Sequence, residues 1–124
     1  MSGFRTAAEV GMGVIFLIGA AFNGVYTLGH TDDFYGGWAD GAWLGPARTL
    51  VRDVVIPNGR LFTILVIVVQ VAVGIAILSR GDLVKLGLLA GGAFAVLAAL
   101  ASSPGGTVGN LVLAAILFGL ALAR

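Results

Sequence analysis

The chain contains no cysteine and a single histidine. Without thiols it cannot form a disulfide, a thiolate metal site or a CxxC redox pair. The lone His30 cannot hold a metal or a haem unless another molecule supplies further ligands. We therefore expect no metal site and no covalently bound cofactor, and any redox chemistry would depend on a bound small molecule or on a partner protein.

Charge is also scarce, since charged residues make up 10% of the 124 residues whereas hydrophobic residues make up 59%. A soluble domain of this size would lack enough polar side chains to cover its surface, but lipid can solvate an apolar surface. The formal net charge of +1 and the lack of a dense basic cluster argue against nucleic acid as a partner. The composition indicates the lipid bilayer instead.

Four apolar stretches are long enough to cross a hydrocarbon core of about 30 Å, which takes roughly 20 helical residues. They cover residues 8–28, 61–78, 83–101 and 108–123. We therefore predict an all-α integral membrane protein, a four-transmembrane-helix bundle that forms one domain over residues 1–124. The first stretch is longer than the apolar region of a signal peptide and no clear cleavage site follows it, so we interpret it as a retained helix.

The basic residues predict an orientation. With four spans both termini share a side, and that side carries Arg5, Arg80, Lys85 and Arg124, whereas the other carries Arg48, Arg52 and Arg60. The positive-inside bias counts most in short connections, which hold the first group. We expect both termini in the cytoplasm and the protein in a prokaryotic plasma membrane.

One connection, residues 28–60, is long enough to have structure of its own. Its second part begins with a proline that suits a first helical position, and apolar residues then recur at helical spacing while Arg48 and Arg52 stand one turn apart on another face. This pattern predicts a short interfacial amphipathic helix over residues 46–56, closed by Pro57.

The same connection holds a group of aromatic and charged residues with two interpretations. The rings could anchor the chain at the headgroups, where one end of a ring is apolar and the other can bind water. Alternatively they line a mouth for a flat amphipathic ligand such as a quinone, or the arginines bind an anionic lipid. The candidate ligand or lipid contacts are His30, Asp32, Asp33, Tyr35, Trp38, Trp43, Arg48 and Arg52.

Several polar residues fall within or near the spans. An amide left unpaired in the bilayer costs several kcal/mol, so Asn23, Gln70 and Asn110 are predicted to make interhelical polar contacts, with ligand contact as the alternative. Glu9 is expected near the interface, where Arg5 lies one turn earlier and can pair with it.

Small residues supply a further pattern. Gly87 and Gly91 form a GxxxG motif, which lets helix backbones approach closely. Packing inside the bundle and dimerisation both explain this motif, so it does not by itself predict an oligomer.

Three segments resemble the DoxX-like family of four-helix membrane proteins. They are GVIFLIGAAFN from Gly13 to Asn23, QVAVGIAIL from Gln70 to Leu78, and GNLVL beginning at Gly109. The similarity in layout covers nearly the whole chain. DoxX-like proteins are associated with redox partners, including a thiosulfate:quinone oxidoreductase in some archaea. Members often carry an acidic residue near the end of the second span, where this chain has Gln70, and this difference argues against transferring a proton-coupled or redox role to it.

These observations lead to one principal expectation about function and two alternatives. We expect a non-catalytic accessory or anchoring subunit of a larger membrane complex, linked to quinone redox chemistry by the resemblance. The first alternative is a homo-oligomer that binds or transports a small molecule or a lipid. The second is an enzyme with His30 as a base oriented by Asp32 and Asp33, but the third group that such a site needs is missing.

Overall fold

The computed structural model of the protein describes residues 2–101 and 104–124. Over these residues the chain is almost entirely helical, and four of its helical segments are long and apolar enough to span a membrane. The helices are α1 (Ser2–Val25), α2 (Thr31–Gly41), α3 (Gly45–Leu50), α4 (Gly59–Leu78), α5 (Leu83–Leu100) and α6 (Pro104–Leu122). The predicted bundle of four transmembrane helices is confirmed, and it consists of α1, α4, α5 and α6.

The four long helices pack in sequence order. α1 lies along α4, α4 lies against α5, and α5 lies along α6, whereas α1 and α6 touch only over a short length. Ile77, Leu88 and Leu117 are fully buried where α4, α5 and α6 meet. Because apolar side chains gain no hydrophobic advantage over lipid, helices in a bilayer depend on such close contacts.

The GxxxG motif of α5 is used inside the bundle. A Cβ on Gly87 would come within 3.0 Å of Ala76 and Ile77, and one on Gly91 would come within 3.0 Å of the Phe16 ring. Both glycines therefore face neighbouring helices of the same chain, and packing within the bundle accounts for this motif.

The helix boundaries differ from the predicted spans mainly at the N-terminal ends. α1 begins at Ser2 rather than at residue 8, and α6 begins at Pro104 rather than at residue 108. Proline suits the first helical position because its missing N–H has no partner there. The glycines that follow Pro104 therefore lie inside α6, although glycine pairs are more typical of connections.

The prediction that Pro57 closes a separate helix is wrong. α3 is joined to α4 by a π-helical turn over Val51–Val55 and a 3₁₀ turn over Ile56–Asn58, so Gly45–Leu78 forms a helical stretch of 34 residues. Proline here removes one backbone donor, and the Asn58 side-chain amide donates to the Val54 carbonyl oxygen at 2.9 Å. The placement of residues 46–56 in the membrane interface stays a prediction.

The sequence did not suggest α2, which contains three glycines. Asp32 and Asp33 lie in its first turn, where negative charge is favourable beside the positive end of the helix dipole. Tyr35 and Ala39 of α2 are buried against Val51 and Val55 of the π-helical turn. This second, smaller core fixes α2 and α3 on the end of the bundle that lies away from α1's N-terminus.

Candidate functional site

A cavity of about 720 Å³ lies under α2 and α3, between them and the transmembrane helices. Volumes of this size are typical of small-molecule sites. The stretch of α4 from Phe62 to Gln70 lines it, which corresponds to about 12 Å along the helix axis. The apolar lining is formed by Phe34, Tyr35, Trp38, Ala47, Leu50, Val51, Val55, Phe62, Leu65, Val66, Val69, Phe94, Leu97, Ala98, Leu100, Ala101 and Gly106.

Three amide side chains interrupt this apolar lining, namely Asn23, Gln70 and Asn110. Asn23 Nδ2 donates to Gln70 Oε1 at 2.8 Å, and Thr27 Oγ1 donates to Asn23 Oδ1 at 2.9 Å. This short chain of hydrogen bonds links α1 to α4, which is the interhelical contact that the sequence predicts for Asn23 and Gln70. Gln70 Nε2 has no hydrogen-bond partner among the described residues.

Gly19 of α1 makes room for the Gln70 amide. A Cβ at this position would lie 2.7 Å from Gln70 Nε2, which is closer than non-bonded atoms approach without a shift. The glycine therefore allows a polar side chain to sit against α1 in the interior of the bundle, where an amide needs a polar partner.

The structure gives Asn110 a different partner from the predicted one. Its Nδ2 donates to the carbonyl oxygen of Gly106, one turn earlier in α6, at 2.9 Å. A carbonyl oxygen has two lone pairs, so it can accept this bond in addition to its helical one. Asn110 Nδ2 thus has a hydrogen-bond partner within its own helix, whereas Asn110 Oδ1 has none among the described residues.

Tyr35 forms part of the wall nearest α4. Its ring is buried, and its hydroxyl lies 2.7 Å from Thr63 Oγ1, which in turn donates to the Gly59 carbonyl oxygen at 2.7 Å. The Tyr35 hydroxyl is therefore the donor to Thr63. Burial raises the pKa of the Tyr35 phenol above its usual value. The phenol is neutral at physiological pH.

Only Tyr35 and Trp38 among the eight predicted ligand contacts line the cavity. His30 is exposed, its Nδ1 lies 2.9 Å from the Tyr26 carbonyl oxygen, and its ring stacks on Tyr26 at 4.5 Å. Asp32 and Asp33 are exposed at the start of α2. The structure therefore does not place His30 in the arrangement of base and orienters that the enzymatic interpretation needs.

The two predicted arginines and Trp43 make local contacts outside the cavity. Arg48 Nη2 donates to a backbone carbonyl of the α2–α3 connection at 2.6 Å. Arg52 Nη2 lies 2.9 Å from Asp40 Oδ1 in an exposed ion pair. Trp43 is exposed, and its Nε1 donates to Thr107 Oγ1 of α6 at 2.9 Å. These contacts tie α2 and α3 to each other and to the bundle.

The lining of the cavity is almost entirely non-ionisable. Tyr35 is the only ionisable side chain among the described residues that line it. Over residues 2–101 and 104–124, no group of three histidine or acidic side chains could hold a metal ion. Phe62 and Phe94 also form part of the wall but were not among the predicted contacts, because apolar periodicity does not show which face of a buried helix borders a void.

No family model matches the chain, and no curated protein or solved structure is significantly similar to it. The resemblance to DoxX-like proteins therefore remains a prediction from the pattern of glycines and apolar residues. The geometry of the cavity is therefore the main observation that bears on function.

Proposed function

We propose that this chain binds a small, largely apolar molecule inside the bilayer and catalyses no reaction on it. The observation that carries the proposal is the cavity of about 720 Å³, whose wall is apolar and aromatic except for three amides. Ligand sites commonly combine such a wall with a few polar groups that fix the orientation of the ligand.

A flat ring with a carbonyl oxygen, such as a quinone head, suits this wall. The rings of Phe34, Trp38 and Phe94 offer faces and edges for stacking. Gln70 Nε2 is a donor without a partner among the described residues, so it can bind a carbonyl oxygen. A lipid with an ester carbonyl has the same chemistry and is the alternative ligand.

The test is to fill the cavity. Val66 lines it, whereas Val68 is 59% exposed toward lipid two residues later on α4. The amount of small molecule that co-purifies with the V66F variant should fall by about tenfold or more, because overpacking costs about 1–3 kcal/mol. The V68F variant adds the same volume outside the cavity and should retain it. Quantitative mass spectrometry of quinones and lipids extracted with each purified variant provides the measurement, and equal retention in both would reject the cavity as the site.

A second proposal is that the chain is an accessory or anchoring subunit of a larger membrane complex or a homo-oligomer. Gly105 and Gly109 stand one turn apart on α6, both are exposed, and a Cβ on either would meet nothing within 4 Å. Unlike the motif of α5, this GxxxG pair faces away from the bundle, where a partner helix could pack closely.

Substitution of Gly109 by leucine tests the second proposal. The bulkier side chain should separate the chain from its partner, because it prevents close approach of the helices. Ala115→Leu alters another exposed position of α6 and serves as the control. Native mass spectrometry in mild detergent should show dissociation of the Gly109 variant alone, and an intact assembly in both variants would exclude this face as the interface.

We further propose a prokaryotic plasma membrane with both chain ends in the cytoplasm. At the end of the bundle near the chain ends lie four basic and two acidic side chains, whereas the opposite end has three basic and four acidic ones. This asymmetry follows the positive-inside rule. Because the chain has no cysteine, single cysteines at Gly3 and Gly37 give a clean test. A membrane-impermeant thiol reagent added to intact cells should label position 37 and spare position 3, and the reverse would contradict the orientation.

A further inference from the structure

A buried carboxylate and three arginines meet at the end of the bundle that holds both ends of the described chain. Glu9 is fully buried. Its Oε1 lies 2.7 Å from Arg80 Nη2 in the α4–α5 turn and 2.8 Å from Arg124 Nη1, which also reaches Oε2 at 2.9 Å. Arg5 does not take the partner expected for it, because its Nη1 donates to the Ala123 carbonyl oxygen at 3.0 Å.

The cluster of Arg5, Glu9, Arg80 and Arg124, here called the Glu9 cluster, has more positive than negative charge. One carboxylate can neutralise only one of the two guanidiniums that contact it. Arg5 Nε is buried and has no hydrogen-bond partner among the described residues. Uncompensated charge beside a membrane-spanning helix is unfavourable unless a counter-charge is present.

The geometry leaves room for such a counter-charge. The Arg80 and Arg124 side chains are 33% and 25% exposed. Arg80 Nη1 also donates to the Ile77 carbonyl oxygen at 3.3 Å, so an anion can reach only the exposed remainder of the two guanidiniums. Arg80 also adopts a φ of 57°, in the left-handed region that non-glycine residues seldom enter. Glu9 holds the two guanidiniums side by side against their mutual repulsion, which preorganises their planar N–H groups for an anion with several oxygens.

We propose that the Glu9 cluster binds the phosphodiester group of an anionic phospholipid. The cluster lies at one end of the four helices that are long and apolar enough to span a membrane, and in a bilayer that end would meet the phospholipid headgroups. Arginine binds phosphate through two parallel hydrogen bonds, and partial burial strengthens such charge-assisted bonds. This site is at the opposite end of the bundle from the cavity and does not depend on it.

The first test compares two variants that each remove one positive charge from the same end of the bundle. Arg124→Gln alters the cluster, whereas Lys85→Gln alters an exposed lysine in the first turn of α5. Phosphatidylglycerol bound to the purified protein is measured by native mass spectrometry, with phosphatidylcholine as the neutral reference. Arg124→Gln should weaken phosphatidylglycerol binding by about tenfold, as expected when charge-assisted bonds to a phosphate are lost. Lys85→Gln should change it by less than about twofold, because an exposed charge is screened.

The second test uses Glu9→Gln, which makes the protein more positive. General attraction to an anionic surface predicts tighter binding in this variant, whereas a site held together by Glu9 predicts weaker binding. If Glu9→Gln does not fold, the comparison of Arg124→Gln with Lys85→Gln still distinguishes a specific phospholipid site from attraction to surface charge. Thermal unfolding without added lipid identifies variants that fail to fold.

Three results would overturn the proposal. Equal weakening in Arg124→Gln and Lys85→Gln would indicate surface charge alone. Unchanged phosphatidylglycerol binding in Arg124→Gln, together with a lower melting temperature, would make the cluster a structural ion pair. A rise in melting temperature with inorganic phosphate but not with phosphatidylglycerol would identify a free anion as the ligand instead of a lipid.

Discussion

The two halves of the bundle differ in how closely α4 packs along its length. Near the chain ends, Gly74, Gly87 and Gly92 are buried, and a Cβ on any of them would lie 3.0 Å or less from an atom of a neighbouring side chain. Toward α2, the stretch of α4 from Phe62 to Gln70 has no glycine, and the cavity lies beside it. Small residues let neighbouring helices pack closely. Where α4 lacks them the helices stand further apart, and α2 and α3 cover the resulting cavity.

The polar groups of the two halves differ in the same way. In the packed half, Glu9 is buried and paired with two arginines. In the open half, Gln70 and Asn110 each keep one polar atom without a partner among the described residues. The unpartnered atoms of the open half belong to neutral amides, whereas that of the packed half, Arg5 Nε, belongs to a cation. The following predictions test how far each half depends on its polar contacts and on its packing.

Removal of the buried carboxylate should have the largest effect on stability. Glu9→Gln leaves Arg80 and Arg124 beside each other without a counter-charge. We expect the free energy of unfolding to fall by about 3 kcal/mol, at the lower end of the cost of breaking a buried ion pair because both arginines are partly exposed. Denaturant unfolding in mixed micelles measures it, and a loss below about 1 kcal/mol would show that the packed half does not depend on this carboxylate.

Overpacking of a close contact between α4 and α1 comes next. A Cβ on Gly74 would lie 2.7 Å from Leu17 Cδ2 and 3.0 Å from the Gly13 carbonyl oxygen. Gly74→Ala should therefore lower the free energy of unfolding by about 2 kcal/mol. The control is Gly109→Ala, where the new methyl group meets nothing within 4 Å and should stabilise α6 by up to about 1 kcal/mol. The same change in both variants would contradict the difference in packing.

Loss of the Tyr35 hydroxyl should have a smaller effect in the open half. Tyr35→Phe removes its hydrogen bond to Thr63, but Thr63 keeps its bond to the Gly59 carbonyl oxygen. We expect the free energy of unfolding to decrease by about 1 kcal/mol at neutral pH. Unchanged stability of Tyr35→Phe would mean that the bond between Tyr35 and Thr63 makes no net contribution to stability.

The same variant makes a pH prediction. Because the pKa of Tyr35 is higher in the folded than in the unfolded protein, the unfolded state loses the phenolic proton first. The contribution of Tyr35 to stability is thus present below the ordinary tyrosine pKa of 10.0 and decreases as the pH rises above it. Unfolding measured across this range should show the decrease in the wild type relative to Tyr35→Phe, and parallel curves would contradict the raised pKa.

The smallest effect is expected for the exposed ion pair. The Arg52 and Asp40 side chains are 52% and 76% exposed, so water and salt screen their attraction. Arg52→Gln should alter the free energy of unfolding by less than about 0.5 kcal/mol. If the free energy of unfolding fell as much as in Glu9→Gln, the ion pairs at the two ends of the bundle would contribute equally to stability, contrary to this prediction.

The sequence predicted the four transmembrane helices because the apolar runs are long and a bilayer admits few structures for them. From the cost of an unpaired amide it predicted that Asn23 and Gln70 would each make an interhelical contact, and the structure shows that they bond to each other. It did not predict α2 or the continuous helix through Pro57, since glycine and proline usually mark connections, and here contacts with α4 and the wide π-helical turn outweigh that tendency.

The candidate site was only partly predictable. Of the eight candidates in the aromatic connection, Tyr35 and Trp38 line the cavity and the other six lie outside it, and ligand contact by any of them stays a prediction. The other six candidates are charged or can bind water. Such groups point away from an apolar cavity because burial without a hydrogen-bond partner is costly.

Composition and apolar length determined by themselves that this protein lies in a membrane and how many times it crosses. The tertiary structure decided which residues meet. Arg80 and Arg124 converge on Glu9 from 71 and 115 residues away along the chain. The cavity likewise joins side chains of all six helices. Hydropathy is a property of each residue and can be read locally, whereas ion pairing and enclosed volume depend on the distances between helices, which only packing establishes.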